Sequence, residues 1–264
     1  MRFLLTLVLA LTRRLPKVKG ALFIGNKMKR AYFLLCKRGD PLIANVSSFK
    51  MRLDPKEYVD SEILFMPHLY DYQEIDFMKA NLKSGGIFLD IGANIGFYTL
   101  IASGIVGGTG RVLAFEADPY NYSKLTDNLS LNSIDNVIAL NVGVADKHET
   151  LRLGLNTTGN RGGNSFLSNN KEFAEVPCDP LMDLLRTHDI VRVSGAKLDI
   201  EGFEFRVLRK FLTVAEKTMY PGFIIIEHHE ALVQQSGGNA IELLQKHGYR
   251  IHSAVGLNYI LVLE

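Results

Sequence analysis

The chain has 264 residues, of which 47% are hydrophobic and 22% are charged, and its formal net charge is +2. This composition is typical of a globular protein with a substantial core, and the length fits one α/β domain with additions. The only two cysteines, Cys36 and Cys178, exclude a disulfide framework and do not have the spacing of metal ligands. A reducing, intracellular compartment is therefore the default expectation.

The positive charge is concentrated at the start of the chain. Residues 1–38 contain ten Lys or Arg and no Asp or Glu, so that the remainder holds 20 basic and 28 acidic residues. The apolar run over residues 3–11 is shorter than the ~20 residues that span a bilayer, and no small-residue cleavage site follows it. We predict a basic N-terminal extension, residues 1–40, with a helix packed on the domain. Weak association of residues 1–38 with an anionic membrane surface stays open, as does an uncleaved signal.

The stretch that organises the rest of the chain covers residues 86–103. After an alternating segment at 48–53, which predicts an edge strand, and a helical pattern at 70–82, an apolar run ends at Asp90. A turn with Gly92 and Gly96 follows, and then a helix begins near residue 97. Ligands bind at the carboxyl ends of such strands in open α/β sheets. Asn94 is predicted to cap the helix.

Strands and helices then alternate, which predicts a parallel sheet with right-handed crossovers in a domain covering residues 41–264. The predicted strands cover residues 111–116, 136–142, 195–200 and 223–227, and a terminal hairpin covers residues 249–252 and 259–263. The predicted helices cover residues 118–132, 180–186, 203–211 and 240–247. The polar stretch 154–170 interrupts this alternation. It is either a lid over a site or a mobile solvent loop.

Four of the predicted strands end in a carboxylate, and these are Asp90, Glu116, Asp199 and Glu227. Such ends lie along one edge of a parallel sheet. Four acids there favour a positively charged or hydroxyl-rich ligand, which a sulfonium cofactor with ribose hydroxyls would be. The alternative, in which the acids only cap the following helices, stays open.

The glycine turn differs from the dinucleotide fingerprint G-x-G-x-x-G. Asn94 stands where the second glycine would be, and Phe97 stands where the third would be. Both side chains impair close approach of a pyrophosphate, so a cofactor without a pyrophosphate, such as S-adenosylmethionine, is favoured. An NAD-dependent oxidoreductase and a non-catalytic binding protein on the same fold remain as alternatives.

Three motifs, at residues 89–100, 114–119 and 197–204, occur in the order found in one enzyme family, with shorter matches at 225–228 and 248–249. Over roughly residues 60–252 the chain resembles the class I S-adenosylmethionine-dependent methyltransferases of the FkbM family. The resemblance implies a Rossmann-like, doubly wound α/β sheet of seven strands, mostly parallel with a reversed last strand. It also implies O-methylation of a sugar, glycan or secondary metabolite, with no nucleic-acid partner. The expected location is the cytoplasm, or the periphery of the inner membrane surface.

The resemblance also assigns cofactor-binding residues. The turn residues implied to lie at the methionine and ribose end are Gly92, Ala93, Asn94 and Gly96. Glu116 would bind both ribose hydroxyls, because a carboxylate accepts several hydrogen bonds. The remaining implied contacts are Asn141 and Val142 near the adenine and Asp90 at the cofactor's ammonium, either directly or through water.

The reacting groups follow from the chemistry, because an alcohol acceptor needs a base or a metal. His228 and His229 are candidate bases beside Asp199 and Glu227, although either histidine could be structural. By similarity to catechol-type O-methyltransferases, Asp199, Glu227 and His228 are candidate ligands of a divalent metal. A metal-free site with a histidine base stays open.

Overall fold

The computed structural model describes residues 2–18, 20–36, 39–168 and 170–264. The elements before the central sheet are α1 (Arg2–Thr12), α2 (Ala21–Leu35), β1 (Leu42–Val46), β2 (Phe49–Leu53), α3 (Tyr58–Phe65) and α4 (Tyr72–Asn81). The first half of the central sheet is built from β3 (Ile87–Ile91), α5 (Phe97–Val106), β4 (Arg111–Phe115), α6 (Pro119–Leu131) and β5 (Val137–Leu140).

A small sheet and the second half of the central sheet follow. The small sheet contains β6 (Gly143–Ala145), β7 (Glu149–Gly154) and β8 (Phe173–Pro180). The other elements are α7 (Leu181–Thr187), β9 (Gly195–Leu198), α8 (Glu204–Val214), β10 (Phe223–Glu227), α9 (Val233–Ser236), α10 (Ala240–Lys246), β11 (Tyr249–Val255) and β12 (Asn258–Leu263).

The central sheet has seven strands in the order β11-β12-β10-β9-β3-β4-β5. Strands β10, β9, β3, β4 and β5 are parallel, whereas β12 runs antiparallel to both of its neighbours. The predicted seven-stranded, mostly parallel sheet with a reversed last strand is therefore confirmed. The chain moves from β3 to one side and later returns to the other side as β9. The crevice at this reversal is where doubly wound sheets bind ligands.

Apolar side chains on both faces bury the central strands. In β3, Phe88 contributes to the core under α5 and α6, whereas Leu89 and Ile91 contribute to the core under α8 and α10. Side chains alternate between the faces of a strand, so a strand covered by helices on both sides is apolar at every inward position. This explains the uninterrupted apolar run that ends at Asp90.

Two small sheets were not predicted. Strand β2 matches the predicted edge strand, but it pairs with β1 in a separate two-stranded sheet rather than with the central sheet. Strand β8 pairs with β6 and β7 in a three-stranded sheet beside the central one. The sequence of β8 contains two prolines and two acidic residues, which are residue types depleted in strands, and this explains why the strand was not predicted.

The N-terminal extension contains two helices and packs on the domain. The Thr12 hydroxyl donates to the carbonyl oxygen of Phe65 at 2.7 Å, and the Arg13 guanidinium donates to the carbonyl oxygen of Leu64 at 2.7 Å. These bonds fix the end of α1 against α3. Within the described ranges, no helix combines the length and the apolar character of a membrane-crossing segment.

Candidate functional site

A cavity opens at the carboxyl ends of β3, β4 and β9, at the point where the strand order reverses. Its polar lining includes Gly92, Asn94, Glu116, Asp199 and Glu201. Its apolar lining is formed by Phe115, Val142, Val144, Leu153 and Phe166. Five residues predicted from the sequence, namely Gly92, Asn94, Glu116, Val142 and Asp199, therefore meet around one space.

The glycine turn after β3 has no room for a side chain at Gly92. Its φ is +82°, and a Cβ atom there would lie 1.8 Å from the carbonyl oxygen of Asp199. Gly96 has a φ of +89°, and a Cβ atom there would lie 2.6 Å from Leu125 Cδ1. Gly92 lines the cavity, whereas Gly96 faces α6 and Ala93 packs in the core. Ala93 and Gly96 therefore pack against the protein interior and do not line the cavity.

Asn94 does not cap the following helix, so that prediction is wrong. It adopts a left-handed φ of 50° inside the turn, and α5 begins only after Gly96, which makes no side-chain capping bond. Gly96 occupies the N-cap position, so Asn94 lies two residues before it. Its own backbone N–H instead donates to Glu116 Oε2 at 2.6 Å.

Glu116 stands at the centre of the cavity wall. Its carboxylate accepts the backbone N–H groups of Asn94 at 2.6 Å and Asp118 at 2.8 Å. Burial raises the pKa of Glu116 to about 7, although both bonds oppose the shift. Because a carboxylate has about four acceptor positions, Glu116 keeps capacity for a ligand. Asn141 lies behind it and donates to its carbonyl oxygen at 2.8 Å, outside the cavity lining.

Asp90 lies behind the cavity wall and not in it. Its side chain is fully buried and accepts the Thr99 hydroxyl at 2.5 Å. Burial raises its pKa, whereas the charge of Lys197 lowers it. The direct contact predicted between Asp90 and a cofactor ammonium does not fit this placement, because the residue is not part of the lining.

Lys197, which was not predicted as a site residue, stabilises the charged form of Asp199. Its Nζ lies 2.9 Å from Asp199 Oδ2. Burial opposes ionisation of Asp199, but the Lys197 charge outweighs it and lowers the pKa of Asp199. Burial and the Asp199 carboxylate raise the pKa of Glu227, which hydrogen-bonds to Asp199. The two carboxyls therefore share one proton, with Asp199 charged. Positions 197 and 199 lie on the same side of an extended chain, which is the signal that could have identified Lys197.

His229 faces this group of carboxyls. Its Nε2 lies 3.3 Å from Glu227 Oε2 and 3.8 Å from Glu201 Oε2. This nitrogen is shielded from solvent and makes no hydrogen bond with the described residues. Burial raises the pKa of Glu201 to about 7. Glu201 was missed because it follows the strand end in a left-handed turn, with a φ of 51°, where strand periodicity no longer applies.

His228, which the sequence predicts as a base or metal ligand, lies apart from the carboxyls and contacts other residues. It is 7% exposed, its ring packs edge-on to Tyr259 at 5.8 Å between centroids, and its Nε2 lies 3.9 Å from Glu230. Neighbouring residues of an extended segment project to opposite sides, so only one of the two histidines can face the site.

The group of residues that could bind a metal differs from the predicted set, because His229 and not His228 lies beside the carboxyls. Among the described residues, Glu201, Glu227 and His229 each offer a ligand atom, and these atoms lie within 4.8 Å of one another. In the predicted set, Asp199 is paired with Lys197 and His228 faces Tyr259. Glu227 is the one predicted ligand that remains in the group.

The polar stretch 154–170 forms a wall of the cavity. The Arg161 guanidinium lies 3.1 Å from Asp118 Oδ2 and over the Tyr120 ring. The Asn164 amide donates to the same Asp118 oxygen at 2.8 Å, and the carbonyl oxygen of Gly159 accepts from the Tyr58 N–H at 2.7 Å. Of the two predicted alternatives, these contacts fit the lid. Asn169 lies outside the described residues.

Comparisons with known proteins identify the family of this chain. The model of the methyltransferase FkbM domain matches residues 90–251. Methyltransferase sdnD from Sordaria araneosa is 30% identical over 186 residues, which cover 58% of this chain and 68% of that protein.

The solved structures that match this chain include methyltransferase FkbM from Methylobacillus flagellatus, with 18% identity and a TM-score of 0.47 over 77% of this chain and 52% of that one. A putative O-methyltransferase from Klebsiella pneumoniae has 15% identity and a TM-score of 0.47 over 74% and 80% of the two chains. Because the family model covers more than half of the sequence, this chain belongs to the FkbM methyltransferase domain family and is a methyltransferase.

Proposed function

We propose that the protein transfers a methyl group from S-adenosylmethionine to a hydroxyl of a sugar, glycan or secondary metabolite. The observation that supports this most strongly is the position of the two polar groups of the cavity. Glu116 follows β4, whereas Asp199 and Glu201 follow β9 on the other side of β3, and His229 lies 3.8 Å from Glu201.

The residues around the cavity fit this cofactor. The apolar lining that includes Val142 suits an adenine ring, and Glu116 keeps acceptor capacity for ribose hydroxyls. The absence of a Cβ at Gly92 lets the turn that lines the cavity pack against the Asp199 carbonyl oxygen. The Asp199 carboxylate suits a positively charged ligand. When bound, S-adenosylmethionine supplies an electrophilic methyl group on its sulfonium.

The chain's own residues supply the rest of the chemistry. Alignment of the acceptor with the methyl group contributes most, since well-oriented reactants gain ~7–11 kcal/mol. His229 Nε2 makes no hydrogen bond with the described residues, so it is available to accept the proton of an acceptor hydroxyl. Asp199, whose charged form interacts with His229, and Glu201 at 3.8 Å would stabilise the imidazolium that forms.

A divalent metal at Glu201, Glu227 and His229 is the second candidate, and the proximity of their ligand atoms favours it. Two carboxylates and one imidazole suit Mn²⁺, Fe²⁺ or Zn²⁺ better than Mg²⁺. We expect the activity to survive exhaustive chelation, because His229 can act alone. Loss of activity on chelation, with recovery on adding back one of these ions, would replace the histidine base with the metal.

An acceptor screen tests the proposed reaction. The protein is incubated with S-adenosylmethionine and with nucleotide sugars, oligosaccharides, lipid-linked glycans or hydroxylated secondary metabolites. Formation of S-adenosylhomocysteine is measured by homocysteine release, and the product is located by mass spectrometry. We expect one class to gain a methyl group on oxygen. A methyl group found on nitrogen or carbon, or transfer to an RNA included in the screen, would contradict the proposal.

The lid is expected to contribute modestly to cofactor binding. Asn164→Ala removes the amide that bonds to Asp118, and a net hydrogen bond contributes ~1 kcal/mol. We therefore expect affinity for S-adenosylmethionine, measured by calorimetry, to fall about fivefold. Thr158→Ala is the matched control, because among the described residues this hydroxyl bonds within the loop, to Asn156. Equal affinities in the two variants would show that the lid does not close on the cofactor.

A further inference from the structure

The two N-terminal helices carry an unusual concentration of exposed apolar side chains. The described residues expose seventeen large hydrophobic side chains, and nine of them lie between residues 3 and 35. On α1 they are Phe3, Leu7 and Leu11, and on α2 and the segment before it they are Val18, Leu22, Phe23, Ile24, Leu34 and Leu35. We call this set the N-terminal apolar surface.

Helix α1 is apolar on both of its sides. Leu4, Leu5, Val8 and Leu9 pack against the core of the domain, whereas Phe3 is 81% exposed on the opposite side. A helix that is hydrophobic all round normally has a second apolar environment. The domain covers the inner side of α1, whereas no described residue covers Phe3 on its outer side.

Inward-facing polar groups hold the helices in place. Arg13 donates to two backbone carbonyl groups of the domain, and the buried Lys29 on α2 pairs with Glu62 on α3. Lys17, between the helices, pairs with Asp76 on α4 at 2.6 Å. The N-terminal apolar surface is therefore presented by helices that are tied to the domain at several points.

The cations beside this surface indicate what it binds. Arg14, Lys27 and Arg30 are exposed, and Lys27 Nζ lies 4.5 Å from the centre of the Phe23 ring. Residues 1–38 contain no acid, although the rest of the chain has more acids than bases. Lys19, Lys37 and Arg38 belong to this basic segment but lie outside the described residues.

We propose that the N-terminal apolar surface docks on an anionic lipid membrane. Apolar side chains flanked by Lys and Arg are typical of helices that lie in the headgroup region, where each cation strengthens binding to anionic lipid. A second copy of the chain fits this surface less well. A symmetric contact would bring two segments together that both carry only positive charge, and like charges repel across an interface.

Vesicle flotation tests the proposal with the full chain. Wild-type protein is expected to float with vesicles of phosphatidylcholine and phosphatidylglycerol in equal parts, and not with phosphatidylcholine alone. The double variant Phe23→Glu/Lys27→Glu reverses the charge at position 27 and replaces an exposed apolar side chain with a charged one at position 23. Since one charge near an anionic surface changes binding about fivefold, we expect the bound-to-free ratio to fall at least tenfold.

The matched control is Val191→Glu/Arg192→Glu, which makes the same changes at exposed positions before β9. It should bind vesicles within about twofold of wild type, a bound set by the usual size of surface-substitution effects. Equal loss in both variants would overturn the proposal, as would an absence of wild-type binding to the anionic vesicles. Sedimentation velocity without vesicles tests the alternative, in which the wild-type protein is a dimer and the Phe23→Glu/Lys27→Glu variant is a monomer.

Discussion

Replacing His229 with glutamine is expected to lower kcat by about 10²–10⁴-fold, the range that general base catalysis contributes. The Nε2 atom of His229 is the basic nitrogen that faces the acidic group, 3.3 Å from Glu227. Glutamine keeps a polar side chain of similar length but cannot accept the acceptor's proton. Affinity for S-adenosylmethionine should change little, because His229 is not part of the cavity lining around Glu116.

The control for this prediction is the neighbouring histidine. His228 faces Tyr259, so His228→Gln should leave kcat within about threefold of wild type once the two proteins are shown to be equally folded, in line with substitutions away from a site. Steady-state kinetics on the acceptor found by screening gives both values. If His228→Gln abolishes turnover and His229→Gln does not, the assignment of the base is wrong.

Replacing Glu116 should weaken cofactor binding by an order of magnitude or more. Two ribose hydroxyls would lose a charged acceptor, and hydrogen bonds to charged groups contribute ~1.5–3 kcal/mol each. Because the Glu116 carboxylate also holds the N–H groups of Asn94 and Asp118, Glu116→Ala would disturb the turn as well. Glu116→Gln keeps an acceptor for one of these groups and isolates the loss of charge, so calorimetry on both variants separates the two effects.

The pH dependence gives an independent test of Glu116. Burial raises its pKa to about 7 from an ordinary value of 4.5, so wild-type affinity should rise as the pH increases through about 7 and the stronger acceptor forms. Stability should respond in the opposite sense. The folded state binds more protons between these two values, and its free energy of unfolding therefore falls as the pH rises. If the affinity of the wild-type protein does not change with pH, or if Glu116→Gln has the same affinity and pH dependence, Glu116 does not bind the ribose.

The central sheet could be predicted because the signals that specify it are local. Alternating strands and helices define a parallel sheet, and strands β3, β4, β9 and β10 each have an acid within one residue of the carboxyl end. The side-chain directions beyond those ends could not be predicted. His228 and His229 are adjacent in sequence, and which of them faces the site depends on how the chain leaves β10. Glu201 enters the site through a left-handed turn.

The additions to the sheet were predicted least well. Strands β7 and β8 lie on either side of the polar stretch 154–170 and pair with each other. This pairing brings together residues that are distant in sequence, and the sequence of the segment gives no strand pattern. The lid is likewise fixed by tertiary contacts, since Asp118 receives both Arg161 and Asn164. A sequence pattern identifies Asp118 as the N-cap of α6, which it is, but not the residues that its second oxygen binds.

Calorimetric titration of the purified protein with S-adenosylmethionine tests most directly whether the cavity beside β3 and β4 is the methyl-donor site. We predict saturable binding of S-adenosylmethionine and of its demethylated product, weakened at least tenfold by Glu116→Ala, and no binding of nicotinamide dinucleotides. Tight binding of a nicotinamide dinucleotide, or S-adenosylmethionine binding that Glu116→Ala leaves unchanged in a folded protein, would contradict the assignment.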